Sequence, residues 1–332
     1  MASQSLLVIG ANSFSGQDFV DLALAETDLK IIGVSRSPQR TPLFLRYLAR
    51  SDLARYSYHQ LDMNQDIVAL LALIDRERPS HIINFAAQSE VAPSWDHPEH
   101  WFQTNTVALS RLVNHLRNAD YLERYLHISS PEAYGSCSGN VTEETHDNPS
   151  TPYAASKAAA DMLIRVYQKQ YGFPASFIRA TNVYGARQQL YKIIPRTAIY
   201  LRLGKTIDLH GGGRAVKSYI HIRDVSRGEL SALLKGRIGQ MYHLSPDAGV
   251  AVRDVVRMIC ETQGHDFETA TRTVDERAGQ DAAYVIDSTL ARREFGWKPQ
   301  IAMQEGVFEV VDWVNSNFDD ILRLPLAYEH KP

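Results

Sequence analysis

Two side chains of the segment 153–157 could together remove a proton from a hydroxyl group. Tyr153 and Lys157 are four positions apart, so a helix would place them side by side on one face. A phenol titrates at about pH 10, so a tyrosine that acts as a base near neutrality needs a cation to stabilise its anion. The spacing also fits a packed tyrosine beside a surface lysine. Ser130, at the end of a predicted strand upstream, supplies the hydroxyl that such redox sites use and favours the catalytic interpretation.

A glycine-containing turn follows the first predicted strand. Residues 10–16 are Gly-Ala-Asn-Ser-Phe-Ser-Gly and open a helix, which is the context of a dinucleotide-binding turn. In such a turn the glycines let the backbone approach a pyrophosphate at the N-terminus of the helix. Serine replaces the middle glycine, so a generic strand-to-helix turn remains the alternative. The residues that we predict to contact the dinucleotide here are Gly10, Asn12, Ser13, Phe14 and Gly16.

The end of the second predicted strand indicates which dinucleotide binds. NAD sites place a carboxylate about 20 residues after the glycines to hold the ribose 2′-hydroxyl, but residues 35–37 here are Ser-Arg-Ser. Hydroxyls and a guanidinium suit a 2′-phosphate, so Ser35 and Arg36 predict NADP, with a solvated Arg36 as the alternative. Asp62 and Met63, after the next strand, are predicted to meet the adenine. The cationic nicotinamide and the nearby ammonium could together supply the ~4 kcal/mol needed to lower the tyrosine pKa by about three units.

The elements that must position these residues alternate between short β-rich runs and amphipathic stretches. This alternation indicates βαβ units, and the nearly continuous apolar strands indicate a parallel sheet that is covered on both faces. The predicted strands are residues 6–9, 30–34, 82–85, 125–128 and 175–178. The predicted helices include residues 18–26, 66–78, 105–118, 153–171, 250–263 and 303–318.

The fold class that follows is an α/β, Rossmann-type doubly wound parallel sheet with a smaller, mixed α/β C-terminal lobe for a substrate. The pattern changes near residue 180, where glycine-containing turns and scattered basic residues begin. We therefore assign residues 1–180 to the dinucleotide-binding domain, with a return segment near 217–245. Residues 181–216 and 246–325 form the predicted substrate lobe.

Composition restricts the classes of protein to which this chain can belong. The 332 residues carry a formal net charge of −3, so bulk electrostatics does not favour nucleic acid as a partner. Two cysteines are too few for a disulfide framework and suit a reducing compartment. The first residues lack the basic region of a signal peptide, and the apolar run 67–74 is too short to span a bilayer. These features predict a cytoplasmic enzyme with no membrane partner.

Three other motifs are weaker candidates for chemistry. The segment 135–139 has a cysteine at the centre of Gly-Ser-Cys-Ser-Gly, but no helix follows at once, as a nucleophile elbow requires. The glycines 211–213 lack the Lys-Ser/Thr of a phosphate-binding loop. His97 and His100 have a spacing that could share a metal, but no cysteine or further histidine supports a site. We interpret the two histidines as residues at the start of a helix and predict no metal.

Several segments together resemble the extended short-chain dehydrogenases/reductases that act on nucleotide sugars, over nearly the whole chain. They are residues 10–16, 84–89 (Asn-Phe-Ala-Ala-Gln-Ser), 127–135 (His-Ile-Ser-Ser-Pro-Glu-Ala-Tyr-Gly), 153–157, 179–185 (Arg-Ala-Thr-Asn-Val-Tyr-Gly), 217–224 and 277–281. The catalytic set that the resemblance implies is Ser130, Glu132, Tyr153 and Lys157. The further cofactor contacts that we predict are Ala86 and Ala87, together with Tyr153 and Lys157, and Lys157 would hold the ribose hydroxyls of the cofactor. The substrate contacts that the resemblance implies are Gln88, Ser89, Glu90, Asn182, Lys192, Lys217 and Arg277. The basic residues among them also fit solvated loop charges.

Residue 132 separates two branches of this family. Its 4,6-dehydratases carry a glutamate at the position of Glu132, whereas its 4-epimerases usually have a small residue there. Oxidation of the sugar at C4 acidifies the hydrogen at C5, and a carboxylate can remove it while the C6 hydroxyl leaves as water. Glu132 also fits a strand-end acid that caps the following loop. We predict a nucleotide-sugar 4,6-dehydratase, with a 4-epimerase as the first alternative and a non-catalytic NAD(P)-sensing protein as the second.

Two departures from the family pattern bear on the substrate. Residues 86–89 and 35–36 look most like GDP-mannose 4,6-dehydratases, which favours GDP-mannose. Pro131 stands where dTDP-glucose dehydratases have aspartate and GDP-mannose enzymes serine, and its side chain can neither donate nor accept a hydrogen bond. Glu132 or a water must therefore carry more of the proton transfer. Glu90 stands where relatives often have histidine, which puts the identity of the sugar in question.

The resemblance also implies that the chain assembles. The helical stretches 98–118 and 153–171 match those that pair across the dimer in the family. A C2 contact of four helices would bury their outward apolar residues. We therefore expect a homodimer, or a tetramer built from it.

Overall fold

The structure is a computed structural model that describes residues 4–137, 140–275 and 285–331. Its strands are β1 Ser5–Ile9, β2 Lys30–Ser35, β3 Tyr56–Gln60, β4 His81–Asn84, β5 Arg124–Ile128, β6 Asn140–Val141, β7 Ala175–Ala180, β8 Asn182–Tyr184, β9 Ile207–His210, β10 Val216–Lys217, β11 Tyr219–His221, β12 Met241–Leu244, β13 Val250–Ala251, β14 Thr271–Val274 and β15 Val285–Ile286. Its α-helices are α1 Phe14–Glu26, α2 Ile67–Glu77, α3 Pro98–Phe102, α4 Leu109–Leu116, α5 Pro152–Tyr171, α6 Ile193–Arg202, α7 Ile222–Lys235, α8 Val252–Gln263, α9 Phe267–Ala270, α10 Thr289–Phe295, α11 Met303–Ser316 and α12 Phe318–Ile321.

Seven of these strands run parallel in one sheet, in the order β12-β7-β5-β4-β1-β2-β3. The chain steps outward from β1 to β3 and then returns to place β4 on the other side of β1. The direction of winding therefore reverses between β1 and β4. Ligands of doubly wound sheets bind at this switch point, beyond the carboxyl ends of the strands. The predicted Rossmann-type α/β fold is confirmed.

Alternate residues of the central strands belong to two different cores. In β1, Leu6 and Val8 face a core built with α1 and α7, whereas Leu7 and Ile9 face a core built with α2, α4 and α5. Both faces of the sheet are therefore covered, as the apolar strands predict. Each buried aliphatic side chain of this kind contributes about 1.5–3 kcal/mol to stability. None of the helices in the described ranges is both long and apolar enough to cross a bilayer.

A third core holds the smaller lobe together. It is formed by the buried faces of α6, α8 and α11 and includes Ala198, Val255 and Val310, which are fully buried. The short strand pairs β9–β14 and β10–β13 lie in the same part of the chain and give the lobe its mixed α/β character. Strand β12, inside the predicted return segment, joins the main sheet beside β7. The exact domain boundaries stay a prediction.

Four helices differ by two or more residues from their predicted bounds, and the first of them, α1, begins at Phe14 rather than at residue 18. The stretch 105–118 begins as a π-helical turn, Gln103–Ala108, before α4. The stretch 250–263 becomes helical only at Val252, because the two residues before it pair with β10 as strand β13. The stretch 303–318 ends at Ser316, and α12 follows. Apolar periodicity encodes neither strand pairing nor a change of helical hydrogen bonding. Strand pairing shifted the start of the stretch 250–263, and the π-helical turn shifted the start of the stretch 105–118.

Candidate active site

Helix α5 carries the predicted redox pair. Thr151 caps the helix, because its hydroxyl accepts a hydrogen bond from a backbone amide of the first turn. Pro152 occupies the first helical position, where a backbone amide donor is not needed. Tyr153 and Lys157 therefore lie in the first two turns. The Lys157 side chain is buried, and its ammonium donates to the carbonyl of Ile128, the last residue of β5, at 2.7 Å. The helix thus places the pair at the carboxyl end of β5.

Ser130 lies between β5 and this helix. Its hydroxyl forms a hydrogen bond with the phenol of Tyr153 and accepts another from the Glu132 amide at 3.2 Å. Ser130 thereby caps the 3₁₀ turn Pro131–Tyr134, in which proline takes the first position. Proline suits that position because the amide hydrogen it lacks has no partner within the turn. The departure of Pro131 from the family pattern therefore has a local structural reason.

The side chains around Tyr153 do not by themselves turn it into a base. Burial raises the pKa of Tyr153 to about 12, and the hydrogen bond with Ser130 lowers it only in part. The negative charges of Glu132 and Glu90 raise this pKa further. Burial lowers the pKa of Lys157 to about 8, so Lys157 stays largely cationic at neutral pH. For Tyr153 to act as the predicted base, a bound group would have to supply additional positive charge, the role predicted for a nicotinamide.

A buried ion pair that the sequence analysis did not single out lies behind the redox pair. Asp161, one turn after Lys157 on α5, accepts hydrogen bonds from Arg179 at 2.7 Å and from Ser129 at 2.5 Å. Asp161 and Arg179 are each only 2% exposed. Asp147 accepts from the other terminal nitrogen of Arg179 at 2.8 Å. An acid four residues after the lysine indicates only that Asp161 shares a helix face with Lys157, and no spacing indicates Arg179 as its partner.

The turn between β1 and α1 has the shape that a dinucleotide phosphate requires. Gly10 has a φ of +90°, and a Cβ on it would lie 2.8 Å from the Ala86 amide nitrogen. A Cβ on Gly16 would lie 2.2 Å from the Gly10 carbonyl oxygen. Ser13, in place of the middle glycine, caps α1 by accepting from the Gly16 amide at 2.9 Å, and Phe14 begins the helix. These residues fit a pyrophosphate at the helix N-terminus, where amide donors and the helix dipole favour an anion.

Asn12 joins this turn to the loop after β2. Its side-chain amide donates to the carbonyl of Pro38 at 2.8 Å, and its backbone amide donates to the hydroxyl of Ser35 at 2.9 Å. Ser35 is therefore buried and bonded to the turn. Arg36 is exposed, and its guanidinium donates to the carbonyl of Lys331 at 3.3 Å. Of the two residues that predict NADP, Arg36 is the one that faces the surface.

The other predicted cofactor residues follow β3 and β4. The Asp62 carboxylate accepts a hydrogen bond from a backbone amide two residues on, and Met63 is only 5% exposed and belongs to the core beside α2. The Ala86 amide donates to the side chain of Asn84 at 3.0 Å, and Ala87 is exposed. The predicted cofactor residues thus lie at the carboxyl ends of β1 to β4. Their contact with a cofactor stays a prediction.

Two of the predicted substrate residues meet in the structure. The carboxylate of Glu90 lies 2.7 Å from the ammonium of Lys192, and Tyr191 donates to the same carboxylate at 2.9 Å. Gln88 is buried and donates to the carbonyl of Lys331 at 2.6 Å. Tyr191 is a member of this group that no motif indicated. Because the charge of Glu90 raises the pKa of Tyr153, the Glu90–Lys192 pair lies near the predicted redox pair.

The remaining predicted substrate residues are more dispersed. Ser89 is exposed, and Asn182 is exposed in β8, opposite Tyr219 of β11. Lys217 lies in β10, opposite Val250 of β13. Arg277 and the rest of segment 277–281 lie outside the described residues.

A third histidine, which the sequence analysis did not connect with His97 and His100, lies beside this pair in the structure. His330, near the end of the described chain, places its Nε2 2.8 Å from the Nδ1 of His100. Spacing along the sequence could not show this contact, because the C-terminal segment returns to α3 only in the folded chain.

Comparisons with known proteins agree with this geometry. Residues 7–310 match the family model described as GDP-mannose 4,6 dehydratase. A dTDP-glucose 4,6-dehydratase of Xanthomonas campestris pv. campestris is 31% identical over 265 residues, which are 74% of this chain and 75% of that protein. A dTDP-glucose 4,6-dehydratase of Mycolicibacterium smegmatis is 30% identical over 94% of this chain and 93% of that protein. The solved structure of the dTDP-glucose 4,6-dehydratase DesIV from Streptomyces venezuelae, with NAD bound, has a TM-score of 0.86 at 29% identity and covers 95% of this chain and 98% of that one. The chain therefore belongs to the nucleotide-sugar 4,6-dehydratase family of the extended short-chain dehydrogenases/reductases.

Proposed function

We propose that this chain catalyses the 4,6-dehydration of a nucleoside diphosphate hexose. The observation that carries the proposal is the position of Glu132, which follows Ser130 on the same 3₁₀ turn and whose charge reaches Tyr153. A 4-epimerase exchanges hydrogen only at C4 and has no use for a carboxylate at this point. A dehydratase needs such a carboxylate to remove the proton at C5.

The residues of the site divide the proton transfers of this reaction between them. Bound NAD(P) supplies hydride uptake from C4 and hydride return to C6, so the overall reaction is redox-neutral. Tyr153 accepts the proton of the C4 hydroxyl, while Lys157 and Ser130 position its phenol and stabilise its charge. Glu132 then takes the proton from C5. Protonated Glu132 or a water delivers the proton with which the C6 hydroxyl leaves, because Pro131 has no group that could do so. As C6 is reduced, C5 takes a proton from solvent, and Tyr153 releases to solvent the proton that it took from the C4 hydroxyl, so the protons balance.

Replacement of Glu132 tests the proposal. Glu132→Gln keeps the size and hydrogen bonding of the side chain but removes the base, so C4 oxidation should persist while loss of water slows by about 10²–10⁴. Glu144→Gln is the matched control, because Glu144 is exposed in the following loop, and it should keep wild-type turnover. Wild-type product formed in deuterated water should carry deuterium at C5. Close to full-speed dehydration by Glu132→Gln would remove this residue from the mechanism.

The same assay separates the alternative functions. A 4-epimerase would convert its substrate without the loss of one water that mass spectrometry detects. A non-catalytic sensing protein would bind NAD(P) and turn over no nucleotide sugar. Either result would overturn the proposed dehydratase.

We propose GDP-mannose as the preferred substrate. Segments 86–89 and 35–36 and the matching family model support this choice, whereas the names of the relatives make dTDP-glucose the main competitor. Glu90, Lys192 and Gln88 are the residues that we assign to the substrate side of the site. A panel of GDP-, dTDP-, UDP- and CDP-sugars, followed by mass spectrometry for loss of water, compares them directly. Faster turnover of dTDP-glucose than of GDP-mannose would reject the choice.

We propose NADP as the preferred cofactor. The exposed guanidinium of Arg36 and the absence of an acid at the end of β2 support it, although DesIV was solved with NAD. Arg36→Ala should weaken NADP binding more than NAD binding, because only NADP carries the 2′-phosphate. Arg76→Ala, an exposed arginine of α2, serves as the control. Calorimetry that shows a clear preference of the wild type for NAD would identify Arg36 as a solvated loop residue.

A further inference from the structure

A cluster of three histidines lies where the C-terminal segment 325–331 returns to α3. His97 directly precedes this helix, His100 lies within it, and His330 comes from the far end of the chain. The three ring centroids are 5.1–5.2 Å apart. The Nε2 of His330 is 2.8 Å from the Nδ1 of His100. No step of the proposed dehydration uses these imidazoles.

A carboxylate lies next to these imidazoles. The ligand atoms of His97, Glu99 and His100 all lie within 4.8 Å of one another. Glu99 Oε1 is 3.7 Å from His100 Nε2, the ring nitrogen that does not face His330. Imidazole nitrogens and a carboxylate oxygen are ligands that Zn²⁺ takes in a tetrahedral arrangement, with Zn–N distances of about 2.0–2.1 Å. We propose that His97, His100 and His330 form a zinc site in which His100 binds through Nδ1, with Glu99 beside its second ring nitrogen.

Small rotations bring these atoms to coordinating positions. Tetrahedral ligands at such bond lengths are about 3.3 Å apart. This distance lies between the limit of 4.8 Å for the ligand atoms of His97, Glu99 and His100 and the 2.8 Å contact of His100 with His330. His97 and Glu99 are exposed, so little packing opposes rotation of their side chains. The contact of 2.8 Å between His100 and His330 requires one shared proton. Zinc takes the place of that proton, so binding releases it to solvent.

The ring of His330 is oriented as a ligand should be. It stacks on Trp101 with centroids 5.3 Å apart and planes at 6°. Its Nδ1 lies 3.0 Å from the Tyr328 hydroxyl, which leaves Nε2 as the nitrogen that faces His100. Histidine ligands of metals usually have such a partner on the second ring nitrogen, because it fixes the tautomer and the ring orientation.

Zinc at this position fastens the C-terminal segment to the body of the protein. His330 is the ligand that the segment 325–331 contributes. The neighbouring carbonyl of Lys331 already accepts hydrogen bonds from Gln88 at 2.6 Å and from Arg36 at 3.3 Å. A bound metal would hold this carbonyl in place beside both side chains.

Titration calorimetry with zinc chloride tests the site on the full chain after treatment with EDTA. The wild type should bind one zinc per chain with a dissociation constant of about 1 µM or lower, and His330→Ala should weaken binding at least about tenfold. His115→Ala is the matched control, because His115 pairs with Asp75 on another helix, and its zinc affinity should equal that of the wild type. Absence of zinc binding would overturn the proposal. Equal zinc affinities of the wild type and His330→Ala would also overturn the proposal, because they would show that His330 is not a ligand and that only His97 and His100 remain.

Hydrogen exchange gives a second measurement that does not depend on affinity. Zinc should slow the exchange of backbone amides in segment 325–331 of the wild type and leave it unchanged in His330→Ala, because that variant lacks the ligand in the segment. Circular dichroism checks that the variant keeps its fold. Equal exchange with and without zinc in the wild type would show that the metal does not hold the segment.

Discussion

At the scale of single residues, Tyr153 shows how far the chain prepares its own chemistry. Ser130 orients the phenol by a hydrogen bond, and Lys157 lies one turn away on the same helix. The ammonium, however, is held by the carbonyl of Ile128, and two nearby glutamates oppose formation of the phenolate. The chain without ligand therefore keeps the proton on Tyr153. In the proposed reaction, Tyr153 therefore becomes a base only after a cationic cofactor binds.

We expect Tyr153 to ionise at a lower pH when oxidised NAD(P) is bound. Difference spectra between the wild type and Tyr153→Phe isolate this tyrosine among the 16 in the chain. Without ligand they should show no tyrosinate below about pH 10, because the pKa is about 12. Oxidised cofactor should lower the onset by at least about two pH units. The reduced cofactor has a neutral nicotinamide ring and is the control. If tyrosinate first appears at the same pH with and without the oxidised cofactor, this account of activation is wrong.

At the scale of elements, the buried pair of Asp161 and Arg179 ties α5 to β7. Removal of one partner of such a pair leaves an uncompensated buried charge, so Asp161→Asn should lower the free energy of unfolding by about 3 kcal/mol. Asp75→Asn is the control, because the Asp75 side chain is 59% exposed and bonds to His115. It should cost less than about 1 kcal/mol. Urea unfolding measures both variants, and equal losses would show that the buried pair is not needed for stability.

Glu309 makes the docking of α11 dependent on pH. Burial alone would raise the pKa of Glu309, but the hydrogen bond from His221 and the cation of Arg46 hold it at about 2, below its ordinary value of 4.5. A lowered pKa of an acid stabilises the fold above the ordinary value, and that stabilisation is lost as the pH falls toward 2. The contribution is about 2 kcal/mol, because solvent screens a side chain that is one-third exposed.

The variant Glu309→Gln isolates this contribution. At pH 6 the wild type should be more stable than Glu309→Gln by about 2 kcal/mol, and the difference should shrink as the pH falls from about 4.5 to about 2. Denaturant unfolding at a series of pH values measures the difference directly. A difference that stays constant over this range would show that the ionisation of Glu309 does not stabilise the fold.

At the scale of the whole molecule, the outward faces of two packed helical segments support the proposed homodimer. Met162 and Val166 of α5 are 57% and 62% exposed, and Phe102 and Val107 on the neighbouring segment are 37% and 39% exposed. A C2 four-helix contact would cover these apolar side chains. Light scattering should therefore give twice the chain mass of 37.4 kDa.

A charge placed in the proposed contact tests which surface is used. Val166→Glu should yield a monomer, because it would bury a carboxylate without a partner. Val68→Glu is the control: Val68 is 80% exposed on α2, outside the proposed contact, and its variant should stay dimeric. A wild type that is monomeric at micromolar concentration would rule out the assembly.

The amino-acid sequence by itself determined the features that are encoded within a few residues. Side-chain spacing over a few residues indicates the strands and helices. It also indicates the turn 10–16 and the position of Tyr153 and Lys157 on one helix face. These features depend on local geometry, which is why the fold class and the placement of Tyr153 and Lys157 on one helix could be predicted. Glu132 was identified differently, through the resemblance of segment 127–135 to the 4,6-dehydratases of the family.

Only the tertiary structure decided which distant residues meet. The ion pair of Glu90 with Lys192, the pair of Asp161 with Arg179 and the approach of His330 to His100 join segments whose separation along the chain carries no periodic signal. Their proximity depends on the order of strands in the sheet and on the path of the C-terminal segment. The pKa of Tyr153 also depends on the tertiary structure, because burial and the charges of Glu132 and Glu90 raise it. Spacing can place a phenol beside an ammonium, but the electrostatic environment of that phenol is a sum over the whole fold.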